Sequence, residues 1–520
     1  MTAAVLSESV ARALCEQWES QARSTTRSRP PADTPLRELS HWAANLRPEH
    51  IPCRVLKLAA SQVLSQIASI RAGLEHPLGR RLVAAFGHPM QRDPRTAASV
   101  FAALGSWLNL DDTAYAGHLS NSTVAVPLAF AYARQLDGLS LLTAVVAANE
   151  CAARITASAT LGPLRGQSAV HTHLAGAVAG RLHCDRATAD QWENAFGLAF
   201  AMPNWPLMRA FLASDARLFN TFTPVRTAMD ACDAAAAGLR GAPDIIEHQD
   251  GFLARFATVP LPQAVAKGLG RRWHTETLSF KMHPGGPGID AAVDCAAEIH
   301  RELGPLRPED VREIVVEASL YTLFAGERAA QYVDGPRSPL GALVLDVPYP
   351  VATTLLTGEF SVDDFSAPQL DDPVRWSLAR RVRLEHDTAM TRELFLSDAP
   401  FGEAVREAGP LATPWLRGFG GDELVDLVGG LEAGGRDFSR STKATGARVV
   451  VRLADGRTIS RTRLIPLGAA GPDTRSRHSQ MVQEKFLSVG GPRRVADTVE
   501  RLHRMRKGGV RRWIEAAFLD

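Results

Sequence analysis

Hydrophobic positions along this chain fall into two textures. From residue 36 to 276, Ala- and Leu-rich segments such as "LRELSHWAANLRPEHIPCRVLKLAASQVLSQIASIRAG" repeat apolar residues at helical spacing between short Gly or Pro turns. Three of them, "STVAVPLAFAYARQL", "LLTAVVAANECAARI" and "HLAGAVAGRL", are apolar nearly all round. Helices of that kind bury most of their faces, so this zone predicts a compact helical bundle. From 277 to 467 the period shortens: "VREIVVEASL", "ARRVRLEHD" and "GARVVVRLADGRTISRTRLI" are β-branched and alternating, and Asp455-Gly456 marks a hairpin turn in the last. Helical stretches such as "GIDAAVDCAAEIHREL" and "PVATTLLTGE" lie between these strands, which predicts a smaller α+β unit. Residues 468–520 return to amphipathic helix and are expected to pack back on the bundle, while residues 1–35, rich in Pro, Ser and Arg towards their end, read as a flexible lead-in. The predicted class is therefore mainly α, a large all-helical domain with a smaller α+β domain.

Composition excludes some partners. The 520 residues carry 58 Lys plus Arg against 56 Asp plus Glu, a formal charge of +2, so no global field selects nucleic acid or an anionic membrane. The basic run Arg501 to Arg512 is followed by Glu515 and the apolar "WIEAAFL", which reads as a solvated helix face and not a nucleic-acid surface. Six cysteines lie far apart without a C-x-x-C pair, as expected of reduced, packed thiols. No basic-then-apolar leader opens the sequence, Glu8, Glu16 and Glu19 argue against a transit peptide, and no run of about 18 uninterrupted apolar residues occurs. A soluble cytoplasmic protein is the expectation. No G-x-S-x-G elbow, phosphate loop or internal repeat is present.

Three stretches carry candidate chemistry. "LNLDDTAYAGHLSNSTVAVP" (108–127) sets Asp111, Asp112, Thr113 and His118 in a stretch otherwise short of charge. Two adjacent carboxylates either orient a substrate and shift each other's pKa, or begin a helix, one capping it and the other complementing its dipole. "VHTHL" (170–174) holds His171 and His173 as an H-x-H pair. On a strand they would share a face and could chelate zinc, but the helical run that follows makes them diverge, and no carboxylate or Cys cluster completes a ligand set, so no metal is expected. "KMHPGGPGID" (281–290) places Lys281 and His283 before a Gly-rich turn leading into a helix, either an anion-binding helix start or an ordinary interdomain hinge.

Ten fragments in order then carry a resemblance. "WAANLRPEHIPCRVLKLA", "LDDT" followed by "VAVPLAFAYA", "RGQSAVHTHLAGAVAGRL", "GLRGAPDIIEHQDGF", "LSFKMHP", "IDAAVDCAAEI", "PEDVREIVVE", "PYPVATTLLTGEFSVDDF", "VVVRLADGRT" and "EKF" span residues 36 to 490. In this order they resemble the MmgE/PrpD family, which includes 2-methylcitrate dehydratase, cis-aconitate decarboxylase and iminodisuccinate epimerase. The resemblance implies a helical domain, an α+β lid before the final helices, a homodimer, and a cleft between the domains. It also implies work on small carboxylic acids without metal or organic cofactor, by proton abstraction next to a carboxylate.

Carried over residue by residue, Thr113 matches the family's "DDT" threonine, Lys281 its lid lysine and, with a small gap, Tyr321 a lid tyrosine. Elsewhere the chain departs from the pattern. The aspartate two positions before "DDT" is Asn109, the histidine of the following "HP" element falls on Ser120 with His118 two positions away, and the "RG-x-H" histidine falls on Ser168 with His171 three positions away. The first-domain lysine becomes Arg217, and a lid position that can be histidine is Gly286. An insertion of about 45 residues near 396–445 is also unlike the compact family pattern. The expectation is a diverged site in which Lys281 and Arg217 hold a carboxylate, and Thr113, Ser120, Ser168, Asn109, Asp112 and His283 line the substrate. His118 is the favoured acid/base, with His171, His283 and Tyr321 as the other candidates. A dehydratase-like lyase is the first expectation; an epimerase, isomerase or decarboxylase, and a non-catalytic ligand-binding homologue, stay open beside it.

Overall fold

A computed structural model describes residues 34–162, 170–286, 288–431, 435 and 437–519. Most of the lead-in predicted at 1–35, and Ser168, lie outside the described residues. The two textures become two kinds of packing. The long helix Gly138–Ala159 packs along Val170–Asp185, which packs in turn on Phe219–Ala236. Cys53–Glu75 and Ala125–Arg134 flank Pro94–Ser106. Gly138–Ala159 is long and apolar enough to cross a membrane, but 89% of its most apolar window is buried inside the molecule. Core burial accounts for its composition.

The alternating segments form one four-stranded sheet in the order β4-β3-β5-β6, from β3 (Val311–Ala318), β4 (Val382–His386), β5 (Ala447–Leu453) and β6 (Thr458–Arg463). Strands β3 and β4 run parallel and the other neighbours antiparallel. The turn between β5 and β6 falls at Asp455-Gly456 as the sequence predicts: Asp455 accepts the Arg457 N–H at 2.9 Å and Gly456 takes φ +91°, a conformation costly for other residues. Helices Ile289–Leu303 and Pro348–Thr357 pack on each other, and the former covers β5 and β6.

Two further features bind the halves together. A two-stranded antiparallel ladder joins β1 (Asp112–Thr113) in the helical domain to β2 (Ser279–Phe280) at the start of the second, pairing Asp112 with Phe280 and Thr113 with Ser279. The helix Pro472–Ser488, first of those near the C-terminus, returns onto Cys53–Glu75. Arg71 donates to the carbonyls of Gly490 and Ala517 at 2.7 and 2.6 Å, fastening the last two helical segments. The basic run near residues 501–512 lies along this surface, with Val510, Trp513, Ile514 and Ala517 turned inward and Arg511 paired with Glu515.

The insertion near 396–445 forms helices Gly402–Ala408 and Thr413–Val428 around an aromatic core of Phe395, Phe401, Trp415 and Phe419. That core reaches Leu161, Val259 and Leu261 of the helical domain, and the Trp415 indole donates to the Gly162 carbonyl at 2.9 Å. The insertion therefore packs against both parts of the chain.

Candidate active site

Asp111 and Asp112 do not begin a helix. They lie at and just before strand β1, and the backbone there is bracketed by two residues in the left-handed region, Asn109 (φ 50°) and Tyr115 (φ 53°). Asn tolerates that conformation, whereas for a bulky Tyr it is strained and needs fixing from outside. The Tyr115 hydroxyl shares a 2.9 Å hydrogen bond with His274 Nδ1, whose own backbone N–H is held by Glu150.

Within this frame Asp111 is wholly buried, and one carboxylate oxygen takes two partners: His118 Nδ1 at 2.8 Å and the Asn121 amide at 2.7 Å. A carboxylate oxygen accepts from both, so the ring carries a proton on Nδ1 and in its neutral form presents Nε2 as the accepting nitrogen. The His118 side chain is 30% exposed, so it can meet a ligand. Behind the pair, the Gln66 amide donates to Asn121 Oδ1 at 3.0 Å, and Gln66 Oε1 accepts from the Ser120 hydroxyl at 2.6 Å. Gly105 makes room for that glutamine, since a Cβ there would stand 2.0 Å from Gln66 Nε2. Asp112 receives the Ser120 N–H at 3.0 Å, and burial, reinforced by the Asp111 charge, pushes its carboxyl up to about 6.

Three lysines lie around this segment. Lys281 follows β2, donates its backbone N–H to the Asp111 carbonyl at 3.1 Å, and ion-pairs with Asp290 at 2.9 Å. Lys485, on the C-terminal helix, donates to Ser65 Oγ at 2.8 Å and to the Leu110 carbonyl; burial pulls its pKa down to about 7 against the pull of Asp111 and Asp112. Lys443, from the end of the insertion, donates to Thr113 Oγ1 at 2.6 Å; burial, with Lys281 nearby, lowers it to about 8. Sequence reasoning missed Lys443, Lys485 and Asp290. For Lys485 a signal existed, because it lies in register with buried Met481, Val482 and Phe486, where a lysine is out of place on an apolar stripe.

The other expected residues separate into groups. Arg217 and Asn109 are paired, the guanidinium donating to Asn109 Oδ1 at 2.6 Å and to the Trp107 carbonyl at 3.2 Å, while its NH1 is buried without a partner among the described residues. Burial lowers its pKa to about 10, so it stays charged. Ser120 spends its hydroxyl on Gln66 and acts through its backbone on Asp112, so the structure makes it a support for the acid and not a donor to a ligand. His171 is wedged between Phe252 and Phe256 and pushed by burial to about 3, which makes it a poor proton carrier at neutral pH. On the same helix His173 is also pushed down to about 3, by burial and then by the field of His118. Tyr321 sits edge-on to Phe401 in the insertion's aromatic core, and burial raises it to about 12. Its ring is part of that packing.

His283 also has a structural partner. It hydrogen-bonds Asp294 at 3.0 Å; burial opposes its charging, yet the Asp294 bond and charge prevail and its pKa is raised. Of the two readings of "KMHPGGPGID", the anion-binding helix start is filled by the chain itself, since Asp290 in the first turn pairs with Lys281. The Gly285 N–H donates to the Leu108 carbonyl at 3.2 Å, which pins this crossing to the helical domain.

The site thus joins a histidine–carboxylate dyad to a cluster of cations at the junction of two domains. Residues 37–263 match the MmgE/PrpD N-terminal domain and residues 283–406 the MmgE/PrpD C-terminal domain. The chain belongs to the MmgE/PrpD family. Among curated members it is 23% identical over 386 residues to cis-aconitate decarboxylase of Aspergillus terreus (strain NIH 2624 / FGSC A1156), covering 67% of this chain and 78% of that one. It is 24% identical over 393 residues to cis-aconitate decarboxylase-like protein oryM of Aspergillus oryzae (strain ATCC 42149 / RIB 40), covering 68% and 79%. Membership in this family and these enzyme relatives support an enzyme of the lyase type. Lys443 and Lys485 lie outside both matched spans.

Proposed function

We propose that this MmgE/PrpD protein is a lyase that uses its own side chains to move a proton at the carbon next to a substrate carboxylate. The observation that carries the reading is the His118–Asp111 dyad, whose ring has one nitrogen fixed by a buried carboxylate and the other without a hydrogen-bond partner among the described residues, on a segment where lysines bond Thr113 and, from just after the paired strand, Asp290. His118 Nε2 takes the proton from the carbon, and the electron pair left behind runs into the carboxylate as an enediolate. Fixed cations stabilise that charge, the role that preorganised donors fill in such reactions. In a dehydratase the pair returns to expel the β-hydroxyl, which leaves as water with one proton from an acid. Asp112, whose carboxyl is raised to about 6, is in its protonated form the acid we assign to that step.

A second reading is decarboxylation, favoured by the names of the curated relatives. There the bond to carbon dioxide breaks first, its electrons flow into the remaining conjugated acid, and protonated His118 delivers a proton to the carbon. Arg217, whose buried NH1 has no partner among the described residues, is a carboxylate-holding cation in either reaction. A homodimer is part of the same proposal.

The test is to incubate purified protein with 2-methylcitrate, citrate, cis-aconitate, malate and an iminodisuccinate-type acid and to read product mass. Loss of 18 mass units identifies dehydration, loss of 44 decarboxylation, and an isomer of unchanged mass the epimerase alternative. Thermal stabilisation by these acids without any product would favour the ligand-binding alternative.

A further inference from the structure

We propose that Lys443, delivered by the insertion, is the cation that grips the reacting carboxylate. The inference rests on the acid-processing reading of the site and assigns a task to a residue beyond both family-matched spans.

Donor accounting singles Lys443 out. An ammonium has three N–H donors. Lys281 commits its charge to Asp290 and a further contact to the Gly286 carbonyl at 3.4 Å. Lys485 is sunk between Ser65 and the Leu110 carbonyl. Among the described residues Lys443 has a single hydrogen-bond partner, the neutral Thr113 hydroxyl. A largely enclosed ammonium with a neutral partner and donors to spare is stabilised by an arriving anion. Its residue keeps some exposure, whereas Lys281 and Lys485 are buried, so an anion can reach it.

The backbone under Lys443 is fixed on both sides. Its N–H donates to the Ala470 carbonyl at 2.9 Å, and the preceding Thr442 carbonyl accepts from Asp398 and Ala399 at 3.1 and 3.2 Å. The Ala444 N–H donates to Ser397 Oγ at 3.2 Å. A cation on such a support loses little freedom when it binds. Its bond to Thr113 Oγ1 sets the ammonium beside the short strand Asp112–Thr113, which directly follows Asp111 in the chain. The insertion thus supplies a cation to a site where the family's histidine positions are Ser120, Ser168 and Gly286.

The test uses the full chain as Lys443→Met and Lys443→Arg. Melting temperature is recorded with and without each of citrate, cis-aconitate and malate, against sodium chloride at equal ionic strength, and kcat and KM are measured for any acid turned over. Wild type is expected to be stabilised by at least one acid. Lys443→Met should keep its circular dichroism and its acid-free melting temperature within a few degrees, lose that stabilisation, and show KM raised at least tenfold; Lys443→Arg should retain most of the stabilisation. An undiminished acid response in Lys443→Met overturns the assignment and leaves the reading of the site intact. The absence of any acid response in wild type overturns both. Should Lys443→Met fail to fold, Lys443→Gln, which keeps a donor for Thr113, carries the same comparison.

Discussion

His118 Nδ1 stands 2.8 Å from a buried oxygen of Asp111, and this contact gives the ring its direction and tautomer. Only seven positions separate the two residues, yet the link depends on a strained loop, a short inter-domain ladder and an amide relay from a distant helix. Removing the ring should remove proton transfer with little effect on the fold, because the side chain is partly exposed. For His118→Asn, kcat is expected to fall on the order of 10²-fold or more with the melting temperature nearly unchanged.

The relay behind Asp111 predicts a remote effect. Gly105→Ala places a methyl group where Gln66 Nε2 now lies, and the bond from Gln66 to Asn121 must break or shift. Because none of these groups is assigned to touch substrate, kcat should fall several-fold while KM moves little. Steady-state kinetics read that split, and an unchanged kcat would show that the relay does not position the dyad.

Asp112 should destabilise the fold when it is ionised. Its carboxyl is raised from 3.8 to about 6, so the cost is fully present above about pH 6 and disappears as pH falls below 3.8. A shift of that size corresponds to roughly 3 kcal/mol. Asp112→Asn, which still accepts the Ser120 N–H, should therefore be more stable than wild type at pH 7 and equal to it near pH 3.5, as denaturant unfolding at the two pH values would show. Activity should drop in the same variant if Asp112 supplies the proton for the leaving hydroxyl.

Lys281 and Asp290 form a largely buried pair. Lys281→Ala leaves the acid without its cation, so both stability and turnover should fall, the latter at least tenfold. In the double variant Lys281→Ala, Asp290→Ala stability should recover in part and turnover should not. Recovery of both would make the pair purely structural.

Much of the fold was legible because the chemistry was local. Asp455-Gly456 between alternating segments specified the β5–β6 hairpin, and the all-round apolar pattern specified the buried helices. The acid pair was harder to place: a helix start fits "LDDT" locally, and only the pairing of Asp112 with Phe280, across 168 residues, makes it strand. Family likeness marked Thr113 and Lys281, and it pointed to His118 as the histidine two positions from Ser120, where the family histidine aligns. Tyr321 and His171 could not be sorted in the same way, because their aromatic neighbours Phe401, Phe252 and Phe256 are remote in sequence. Lys443 lies in a Ser- and Thr-rich stretch without periodicity, so its place beside Thr113 depends on the insertion's tertiary path.

The most direct measurement is proton NMR in D₂O of any acid the protein turns over, with wild type and His118→Asn compared at equal concentration. The account predicts deuterium at the carbon next to the carboxylate, in substrate or product, at a rate that falls on the order of 10²-fold in the variant. Equal deuterium incorporation by the two proteins would contradict it and place the proton-transferring group elsewhere.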